Sequence, residues 1–493
     1  MRLILLLLSL LQSISATEKK AHHPPHIFTR LLDPQGSMVL HWFYDYSTEE
    51  ITFELEAQTT GWVAFGLSTK EELKGTDMVI GGVFLNKTVY FTDGHVDEDW
   101  PPVVDEKQNY HLLSLTENET ATTMKFSRKF RTCDPNDLDI TNDTLRVSSA
   151  YGLDDTLHYD EEHRFVKSIC LMEIVQPVVM PKIYYTHDIK LNDFPVPEED
   201  TTYACTFVPM PAVRTKHHLF MYVPHVDTNL VHHILIYACP NDTYITTEVG
   251  ECYGGDATFS QCSQVIFGWA VGGSPFFLPP NAGIPLGTPL DPYYVRIEVH
   301  FSNFDAIPGL VSNSGILIYY TPELREHDAG IIQYGVFTFP IHFIPPGAEA
   351  YKTYGLCHTD AFHEVNGNHV EDMHIISYLN HGHLTVRGIR VLHYRNGTFL
   401  GSLEDDNGYD FRLQEIRHFK EDILTIKVGD VIVVECTQNT VDRETVTFGG
   451  TSTLNEMCLS FLFYYPRTNI SKCWGFTDVI YVINELDLEP TTE

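Results

Sequence analysis

Short segments rich in β-branched and aromatic residues recur along the whole chain, and they constrain its fold more than any other feature. Examples are residues 51–55, 61–67, 88–92, 231–237, 294–302, 315–320, 384–394 and 430–436. Many alternate between polar and apolar side chains, as strands with one buried face do, and stretches with the helical period of about 3.6 residues are scarce. Glycine and proline clusters separate the segments, for example at 272–280 and 345–347. The sequence therefore predicts an all-β protein built of sandwiches.

The length of 493 residues exceeds what a single hydrophobic core supports, so several domains are expected. We predict an N-terminal β domain at 33–155, a linker at 156–197, and two further β blocks at 198–344 and 345–485. The linker contains four prolines, and each of the last two blocks contains four cysteines. The equal cysteine content suggests that the two blocks are arranged in tandem.

The chain is strongly acidic, with 66 acidic residues against 32 basic ones and a net charge of −34. A surface with this charge repels phosphate groups, which argues against nucleic acid and anionic membranes as partners. The excess of acid either keeps the protein soluble or attracts a cationic substrate, and the sequence leaves both interpretations open.

The N-terminus has the features of a signal peptide at residues 1–16. A basic residue precedes the apolar residues 3–11, and small residues lead to a cleavage site near Ala16. Six Asn-X-Ser/Thr sequons also favour export, namely Asn86, Asn118, Asn142, Asn241, Asn396 and Asn469. The ten cysteines form an even set, as an oxidising compartment favours, and none of them form a Cys-x-x-Cys motif. We expect a glycoprotein in the lumen of the secretory pathway or outside the cell, with membrane association only through a retained leader.

Patterned histidines are the first candidates for chemistry. His381 and His383 are two residues apart in a predicted strand, so both rings can reach one ion, although a pair of partly exposed histidines fits the spacing equally well. His232 and His233 are adjacent and would point to opposite faces of a regular strand, so joint ligation needs a strand end or a distortion. His300 ends a strand-like run and is by itself typical of a buried, hydrogen-bonded histidine.

Met457 precedes an apolar run and by itself indicates core packing. A thioether together with imidazole ligands selects copper, particularly Cu(I), over zinc, calcium or magnesium. If these groups meet in the fold, the residue types predict copper chemistry.

Four runs resemble stretches of a known family. They read VHHILIYAC, VRIEVHFSN, LNHGHLTVRG and NEMCLSFLFYYP, and they resemble, in the same order, parts of dopamine β-hydroxylase and peptidylglycine α-hydroxylating monooxygenase. The N-terminal runs GWVAFGLS and TDMVIGG resemble the DOMON domain of the dopamine-hydroxylating branch, and FSRKFRTCDPNDLDI also fits that branch. The resemblance covers about residues 33–480 and is strongest to the DBH-like monooxygenase proteins.

The resemblance implies a DOMON β-sandwich followed by two jelly-roll-like β-sandwich copper domains. It implies two copper ions per chain, one held by three histidines and one by two histidines and a methionine, with an open solvent cleft between them. These two sets are His232, His233 and His300, and His381, His383 and Met457. The first ion would store and deliver an electron, and the second would bind O2 where the C–H bond is cut. By the same resemblance, the pair His217 and His218 does not bind copper.

The implied activity is an ascorbate-dependent copper monooxygenase that hydroxylates a C–H bond of a small, phenylethylamine-like substrate with O2. The main alternative is a catalytically silent secreted glycoprotein of the same fold that binds copper or another ligand, and a zinc hydrolase is a third hypothesis. The expected partners are the small substrate, O2 and ascorbate, and a homo-oligomer stays open.

Disulfide pairing is also implied by the resemblance. The expected pairs are Cys205–Cys252, Cys239–Cys262, Cys357–Cys473 and Cys436–Cys458. Because Cys458 is next to Met457, its bridge would also fix that ligand. For the remaining Cys133 and Cys170 we expect a bridge, with an unpaired or intermolecular cysteine as the alternative.

The substrate is where this sequence departs from its relatives. Gln333, in the run AGIIQYG, stands where the dopamine-type enzymes have a glutamate suited to pairing an amine, which argues against a catecholamine. Tyr464 is a candidate substrate contact and Glu298 keeps the residue type of the amine branch, but both also suit packing. The arginine by which the peptide-amidating branch binds a carboxylate has no counterpart at 378–380, which argues against a glycine-extended peptide.

The DOMON-like domain offers no chemistry that the sequence supports. Its Asp77 and Asp93 match acids that suit a metal, but exposed acids in turns are the simpler interpretation.

Overall fold

A computed structural model describes residues 26–98, 100–158, 161–176, 178–246, 248–253, 258–419 and 424–476. The described residues form mostly strands, three short 3₁₀ helices (Glu161–His163, Phe259–Gln261 and Thr359–Ala361) and one short α-helix, α1 (Phe362–Asn366). Gly367 ends α1 at φ 72°, a left-handed conformation that glycine adopts without strain. The all-β prediction is confirmed. The expected signal peptide at 1–16 and the last residues of the predicted third block lie outside the described residues.

The chain divides into two compact units. The first comprises the described parts of Met1–Gly66, Lys74–Asp139 and Ser149–Phe165, and the second comprises Leu67–Leu73, Ile140–Ser148 and the described parts of Val166–Glu493. Both of the predicted copper domains therefore belong to a single unit.

The N-terminal strands form two sheets. The strands are β1 (Phe28–Leu31), β2 (Met38–Asp45), β3 (Glu50–Ala57), β4 (Val63–Ser68), β5 (Asp77–Val83), β6 (Val89–His95), β7 (Val103–Val104), β8 (His111–Glu117), β9 (Thr122–Lys129), β10 (Thr144–Tyr151) and β11 (Arg164–Cys170). The sheet orders are β1-β2-β3-β9-β8 and β11-β10-β4-β5-β6-β7. In β3 the apolar residues alternate with polar ones, so Ile51, Phe53 and Leu55 are buried on one face while the other face is partly exposed.

The first part of the second unit forms two main sheets. Its strands are β12 (Tyr185–Lys190), β13 (Phe194–Pro195), β14 (Thr201–Pro209), β15 (His217–His225), β16 (Val231–Ala238), β17 (Gly250–Glu251), β18 (Gln264–Ala270), β19 (Phe276–Phe277), β20 (Ala282–Leu286), β21 (Tyr294–Ser302), β22 (Val311–Ser312), β23 (Gly315–Thr321) and β24 (His327–Asp328). The sheet orders are β12-β23-β15-β20-β24, with β19 also paired to β15, and β17-β14-β21-β16-β18; β13 and β22 pair separately.

The last part of the chain adds two more main sheets. Its strands are β25 (Gly330–Val336), β26 (Phe343–Ile344), β27 (Tyr351–His358), β28 (Met373–Gly382), β29 (Val386–Arg395), β30 (Thr398–Asp406), β31 (Arg417–His418), β32 (Leu424–Ile426), β33 (Asp430–Gln438), β34 (Thr447–Phe448), β35 (Cys458–Tyr465) and β36 (Lys472–Gly475). The orders are β31-β28-β35-β25-β36, with β32 also paired to β28, and β27-β33-β29-β30; β26 and β34 pair separately.

Strand pairing refines two of the expected boundaries. β12 lies in the predicted linker at 156–197, yet it pairs along its whole length with β23. β25 lies in the range predicted for the first copper domain, yet it pairs with β35 and β36 of the last sheets. Loss of ladder hydrogen bonds would be costly for buried backbone, so these strands belong with the sheets that they pair with.

Disulfides close loops in both halves of the second unit. The bonded pairs are Cys205–Cys252, Cys239–Cys262, Cys357–Cys473 and Cys436–Cys458, the four that the resemblance implied. The expected Cys133–Cys170 bridge is wrong, since both residues are free thiols, the first exposed and the second buried. The Sγ of Cys170 lies 3.4 Å from the Asn142 carbonyl oxygen, and burial raises the pKa of this thiol to about 12, so it stays protonated.

Three carboxylates cluster inside the first unit. Oxygens of Asp77, Asp93 and Asp137 lie within 4.8 Å of one another, and one oxygen of Asp77 also accepts from Arg128. Asp77 and Asp93 are 1% and 0% exposed, so the interpretation as exposed acids in turns is wrong. Burial raises the pKa of Asp93 to about 7 and that of Asp77 to about 6, and the Asp137 charge adds to both increases.

The acid cluster predicts that the first unit becomes less stable as pH rises. The folded pKa of Asp93 lies above its unfolded value, so the folded state retains a proton that the unfolded chain has released between about pH 4 and pH 7. Stabilisation by that proton is present at low pH and is lost as pH rises through the folded pKa. Scanning calorimetry at about pH 5 to 8 should show this fall, and Asp93→Asn should flatten it; an unchanged slope in the variant would contradict the assignment.

Candidate functional site

Three histidines converge inside the second unit. His232 and His233 lie on β16 and His300 lies on the paired strand β21, with ligand nitrogens of the three within 4.8 Å of one another. All three side chains are buried. The pairing of β16 with β21 shifts register between Val231 and His233, so the ladder is locally irregular there. This irregularity is the distortion that two adjacent histidines need in order to face the same point.

Hydrogen bonds at the outer nitrogens orient these rings. The Nε2 of His232 lies 3.1 Å from the Phe411 carbonyl oxygen, and the Nε2 of His300 lies 3.0 Å from the Thr453 hydroxyl. A carbonyl oxygen only accepts, so the Nε2 of His232 carries the proton and its Nδ1 keeps a free lone pair. The Nδ1 atoms of His232 and His300 each lie 3.4 Å from the Nδ1 of His233. The three Nδ1 atoms therefore face one buried point, an arrangement that a cation stabilises.

A buried carboxylate lies behind the third ring of this set. The Nε2 of His233 is 3.7 Å from the Oε1 of Glu298. The Oε2 of Glu298 accepts from the Tyr253 hydroxyl at 2.8 Å and from the Arg296 guanidinium at 3.2 Å. Burial alone would raise the pKa of Glu298, but His233, Arg296 and Tyr253 hold it below the ordinary value, so this carboxyl group is ionised. A carboxylate in this position fixes the ring and strengthens it as a ligand.

The second set lies at the end of β28. The rings of His381 and His383 have their centres 5.2 Å apart. The Nδ1 of His381 lies 2.7 Å from the Gln414 side-chain oxygen, and the Nδ1 of His383 lies 3.2 Å from the Asn455 carbonyl oxygen, so each Nδ1 carries the proton. The Nε2 of His383 is buried and has no hydrogen-bond partner among the described residues. A buried nitrogen with a free lone pair is costly unless a ligand such as a metal ion satisfies it.

Four of the candidate donor histidines are neutral. Burial lowers the pKa of His232 and His300 well below the ordinary value, and the nearby His233 lowers both further. Burial also lowers the pKa of His381 well below the ordinary value and that of His383 to about 4. Neutral imidazole is the form that binds metals, so these rings need not lose a proton on binding.

Glu456 ties the second pair of histidines to Met457. One of its carboxylate oxygens accepts from the backbone N–H groups of His383, at 2.5 Å, and Met457, at 2.8 Å. The other oxygen accepts from the backbone and hydroxyl of Thr385. The backbone at Gly382 is crowded, because a Cβ at this position would lie 2.7 Å from the Cγ2 of Val386 and 3.2 Å from the Met457 carbonyl oxygen. One buried side chain therefore fixes the backbone of two candidate ligands.

The two donor sets are neighbours. The rings of His233 and His381 have their centres 5.4 Å apart, and Phe411 stacks on His232 with ring centres 3.9 Å apart. Gln414, three residues after Phe411, hydrogen-bonds to His381. The segment at 411–414 thus contacts both sets. The expectation of an open solvent cleft between them is wrong for this structure.

A cavity of about 280 Å³ lies beside both sets. Its wall includes His233 from the first set and His381 and Met457 from the second. Its apolar residues include Leu235, Trp269, Leu379, Leu459, Phe461 and Trp474, and its charged or amide residues are Arg296, Glu298, Gln333 and Lys472. Small-molecule sites in proteins have volumes of roughly 300 to 1,000 Å³, so this cavity suits a small ligand rather than a folded partner.

Tyr464 does not take part in this site. Its side chain is 0% exposed in the core of the last sheets, and its hydroxyl bonds to Thr468 at 2.7 Å. The predicted substrate contact is therefore contradicted, and Tyr464 is a packing residue. His217 and His218 also lie outside both sets, and the Nε2 of His218 is 2.9 Å from a carboxylate oxygen of Asp328.

Sequence reasoning did not single out Gln414, Glu456 or Lys472. Gln414 and Lys472 lie far along the chain from the residues that they adjoin, and neither forms a regular spacing with a candidate ligand. Glu456 directly precedes Met457, and this adjacency was the one signal available.

Comparison with known families gives three matches in chain order. The DOMON domain matches residues 34–152, and the N-terminal and C-terminal domains of the copper type II ascorbate-dependent monooxygenases match residues 187–308 and 327–485. DBH-like monooxygenase protein 2 of Mus musculus is 49% identical over 490 residues, which cover 98% of this chain and 79% of that protein. The chain belongs to the copper type II ascorbate-dependent monooxygenase family.

Two further relatives have lower sequence identity to this chain. DBH-like monooxygenase protein 1 of Homo sapiens is 38% identical over 462 residues, covering 91% of this chain and 75% of that protein. Dopamine beta-hydroxylase of Homo sapiens is 32% identical over 467 residues, covering 91% of this chain and 74% of that protein. Copper and ascorbate are thus the metal and the reductant of the family to which this chain belongs.

The hydrogen bonds that Glu456 accepts from His383, Thr385 and Met457 predict that substitution of Glu456 lowers the stability of the fold. In Glu456→Gln an amide NH2 group replaces one of the two acceptor oxygens and faces N–H donors, which leaves buried donors unpaired. We expect a loss of about 2–4 kcal/mol in the free energy of unfolding in urea, whereas the exposed Glu349→Gln should change it by less than about 0.5 kcal/mol. Equal stabilities of the two variants would contradict this role of Glu456.

Proposed function

We propose that this chain is a copper-dependent monooxygenase that uses O2 and electrons from ascorbate to hydroxylate a C–H bond of a small substrate. The observation that carries this proposal is that two sets of imidazole and thioether donors lie beside one cavity that suits a small molecule. The proposed copper ligands are His232, His233 and His300 in one set, and His381, His383 and Met457 in the other.

The donor chemistry supports copper. Imidazole nitrogens and a thioether sulfur are soft or borderline ligands, which copper prefers and which calcium and magnesium do not. The convergent Nδ1 atoms of the first set and the unsatisfied buried Nε2 of His383 are the features that fit a bound ion. Three protein ligands per ion leave coordination positions open, as a catalytic metal requires.

The reaction balances with two electrons. R–H, O2 and two ascorbate ions give R–OH, water and two semidehydroascorbate radicals, so that the C–H and O–O bonds break while C–O and O–H bonds form. Copper supplies one-electron steps, which is why we propose two ions per chain. The protein holds the rings through Glu298 and Gln414, and the apolar wall of the cavity limits the access of water.

We further propose that the protein acts in an oxidising compartment of the secretory pathway. Four disulfides support this location, since such bonds persist where thiols are oxidised. All six sequon asparagines are exposed, as acceptors of glycans must be; they are Asn86, Asn118, Asn142, Asn241, Asn396 and Asn469. No helix in the described part of the chain is long and apolar enough to span a membrane.

The two donor sets predict the copper content. Reconstituted protein should hold about two copper ions per chain, and His300→Ala should hold about one, because a triad that loses a donor binds copper far more weakly. His217→Ala removes a histidine outside both sets and should keep the wild-type content. Elemental analysis after dialysis measures the ratio, and a wild-type value near one or zero would refute the proposal.

The thioether of Met457 predicts that its substitution stops turnover without emptying the three-histidine copper site. Met457→Ile should lower ascorbate-driven O2 consumption by about a hundredfold or more, because thioether ligation favours the Cu(I) form. The three-histidine set should keep its copper ion. Met180→Ile, at an exposed methionine, is the matched control. An oxygen electrode measures the rate. A rate in Met457→Ile equal to that of the control would contradict the assignment, and no turnover in the wild type would favour the catalytically silent alternative.

A further inference from the structure

Lys472 places an ammonium group in the wall of the cavity without a carboxylate partner. It lies on β36, half-buried, with its Nζ 4.7 Å from the centre of the Trp474 ring. No hydrogen bond or ion pair joins its side chain to another described residue. Burial lowers the pKa of Lys472, and the positive charge of Arg296 lowers it further against the opposing effect of Glu298. A partly desolvated cation beside a second cation is stabilised by an anion.

The carboxylate in the cavity wall is already neutralised. Glu298 is the one acidic residue among the described residues that line the cavity. Its oxygens accept from Arg296 and Tyr253, and one of them lies 3.7 Å from His233. Because the charges of Arg296 and Glu298 neutralise each other, the charge of Lys472 is the one positive charge in the wall without a counterion among the described residues. A substrate ammonium group therefore meets repulsion rather than a free acid.

Gln333 lies next to Lys472 on the neighbouring strand. β25 runs parallel to β36, and the two residues are register partners. Both side chains line the cavity. The amide of Gln333 can donate a hydrogen bond to an anion held by Lys472, and it adds no negative charge of its own. The two side chains together form a subsite suited to an oxyanion.

We infer that the substrate of this cavity is a small molecule with an apolar, ring-sized body and an anionic group, in the simplest case a carboxylate, that pairs with Lys472. The inference rests on the proposed function and names the substrate class of that reaction. Imidazole and thioether donors carry no negative charge, so bound copper would add positive charge that they do not cancel. The volume of about 280 Å³ and the surfaces of Trp269, Leu379 and Phe461 suit one aromatic ring with a short chain.

The test compares three ligands that differ only in their polar end. 3-Phenylpropanoate, 3-phenylpropanamide and 3-phenylpropylamine are titrated calorimetrically into the copper-reconstituted full chain, without ascorbate, so that no turnover occurs. We expect the carboxylate to bind at least about tenfold more tightly than the amine, since a hydrogen bond to a charged partner is worth a factor of this order. Tighter binding of the amine, or no binding of the carboxylate, would overturn the inference.

Matched variants assign the effect to Lys472. Lys472→Gln should weaken carboxylate binding about tenfold or more and leave the amide within about twofold, Lys472→Arg should restore most of the affinity, and the exposed Lys182→Gln should change nothing. Gln333→Glu should reverse the preference towards the amine. Thermal melting shows that each variant is folded. Carboxylate affinity that survives in Lys472→Gln would place the anion elsewhere, for example on copper, and would overturn the inference.

Addition of O2 and ascorbate after the titration separates this inference from the proposed function. If the carboxylate binds through Lys472 but is not hydroxylated, the anion subsite stands and the monooxygenase proposal fails. If the amine is hydroxylated and Lys472→Gln has no effect on either ligand, the monooxygenase proposal stands and the anion subsite fails.

Discussion

The buried donor histidines of this protein carry hydrogen bonds on the ring nitrogens that face away from each set, and the site depends on those bonds. Imidazole has one proton to place when neutral, and an acceptor at one nitrogen leaves a lone pair on the other. The Phe411 carbonyl, the Gln414 amide and the Asn455 carbonyl fix that choice for His232, His381 and His383. Burial keeps the rings neutral, since a charged imidazole would lose its hydration. The lone pairs therefore point inward, and that of the His383 Nε2 is buried without a hydrogen-bond partner among the described residues.

Such an arrangement requires a rigid surrounding framework, because converging lone pairs repel each other without a cation. The framework consists of paired strands with local irregularities at the donors. A register shift beside His233 brings adjacent rings to one side, and the Glu456 carboxylate binds the backbone of both His383 and Met457. Cys458, which directly follows Met457, is bonded to Cys436, and this disulfide limits how far the Met457 backbone can move. These constraints act on backbone positions, so the donors are held before any ion binds.

The donors and the cavity wall serve different purposes. In the proposed site, nitrogen and sulfur donors would select copper. The wall holds the charges that distinguish one ligand from another. The charges of Arg296 and Glu298 neutralise each other beside the His233 ring. The charge of Lys472 has no carboxylate partner among the described residues, and its neighbour Gln333 is neutral. Specificity in this protein is therefore expected to follow from a few wall residues that do not touch the metal.

The sequence by itself determined the fold class, and its resemblance to a known family implied the six candidate donors and the four disulfide pairs. Alternation of polar and apolar residues fixes strands locally, and ligand motifs such as that of His381 and His383 are short enough to be visible in the chain. Only the tertiary structure decided that the two sets adjoin, that Tyr464 is buried away from the cavity, that Cys133 and Cys170 stay unbridged, and that Asp77 and Asp93 are buried. Each of these depends on contacts between residues far apart in the chain, and such contacts are set by strand register and packing, for which no local pattern exists. Glu456, Gln414 and Lys472 gained their roles in the same way, from the residues that the folded sheets bring beside them.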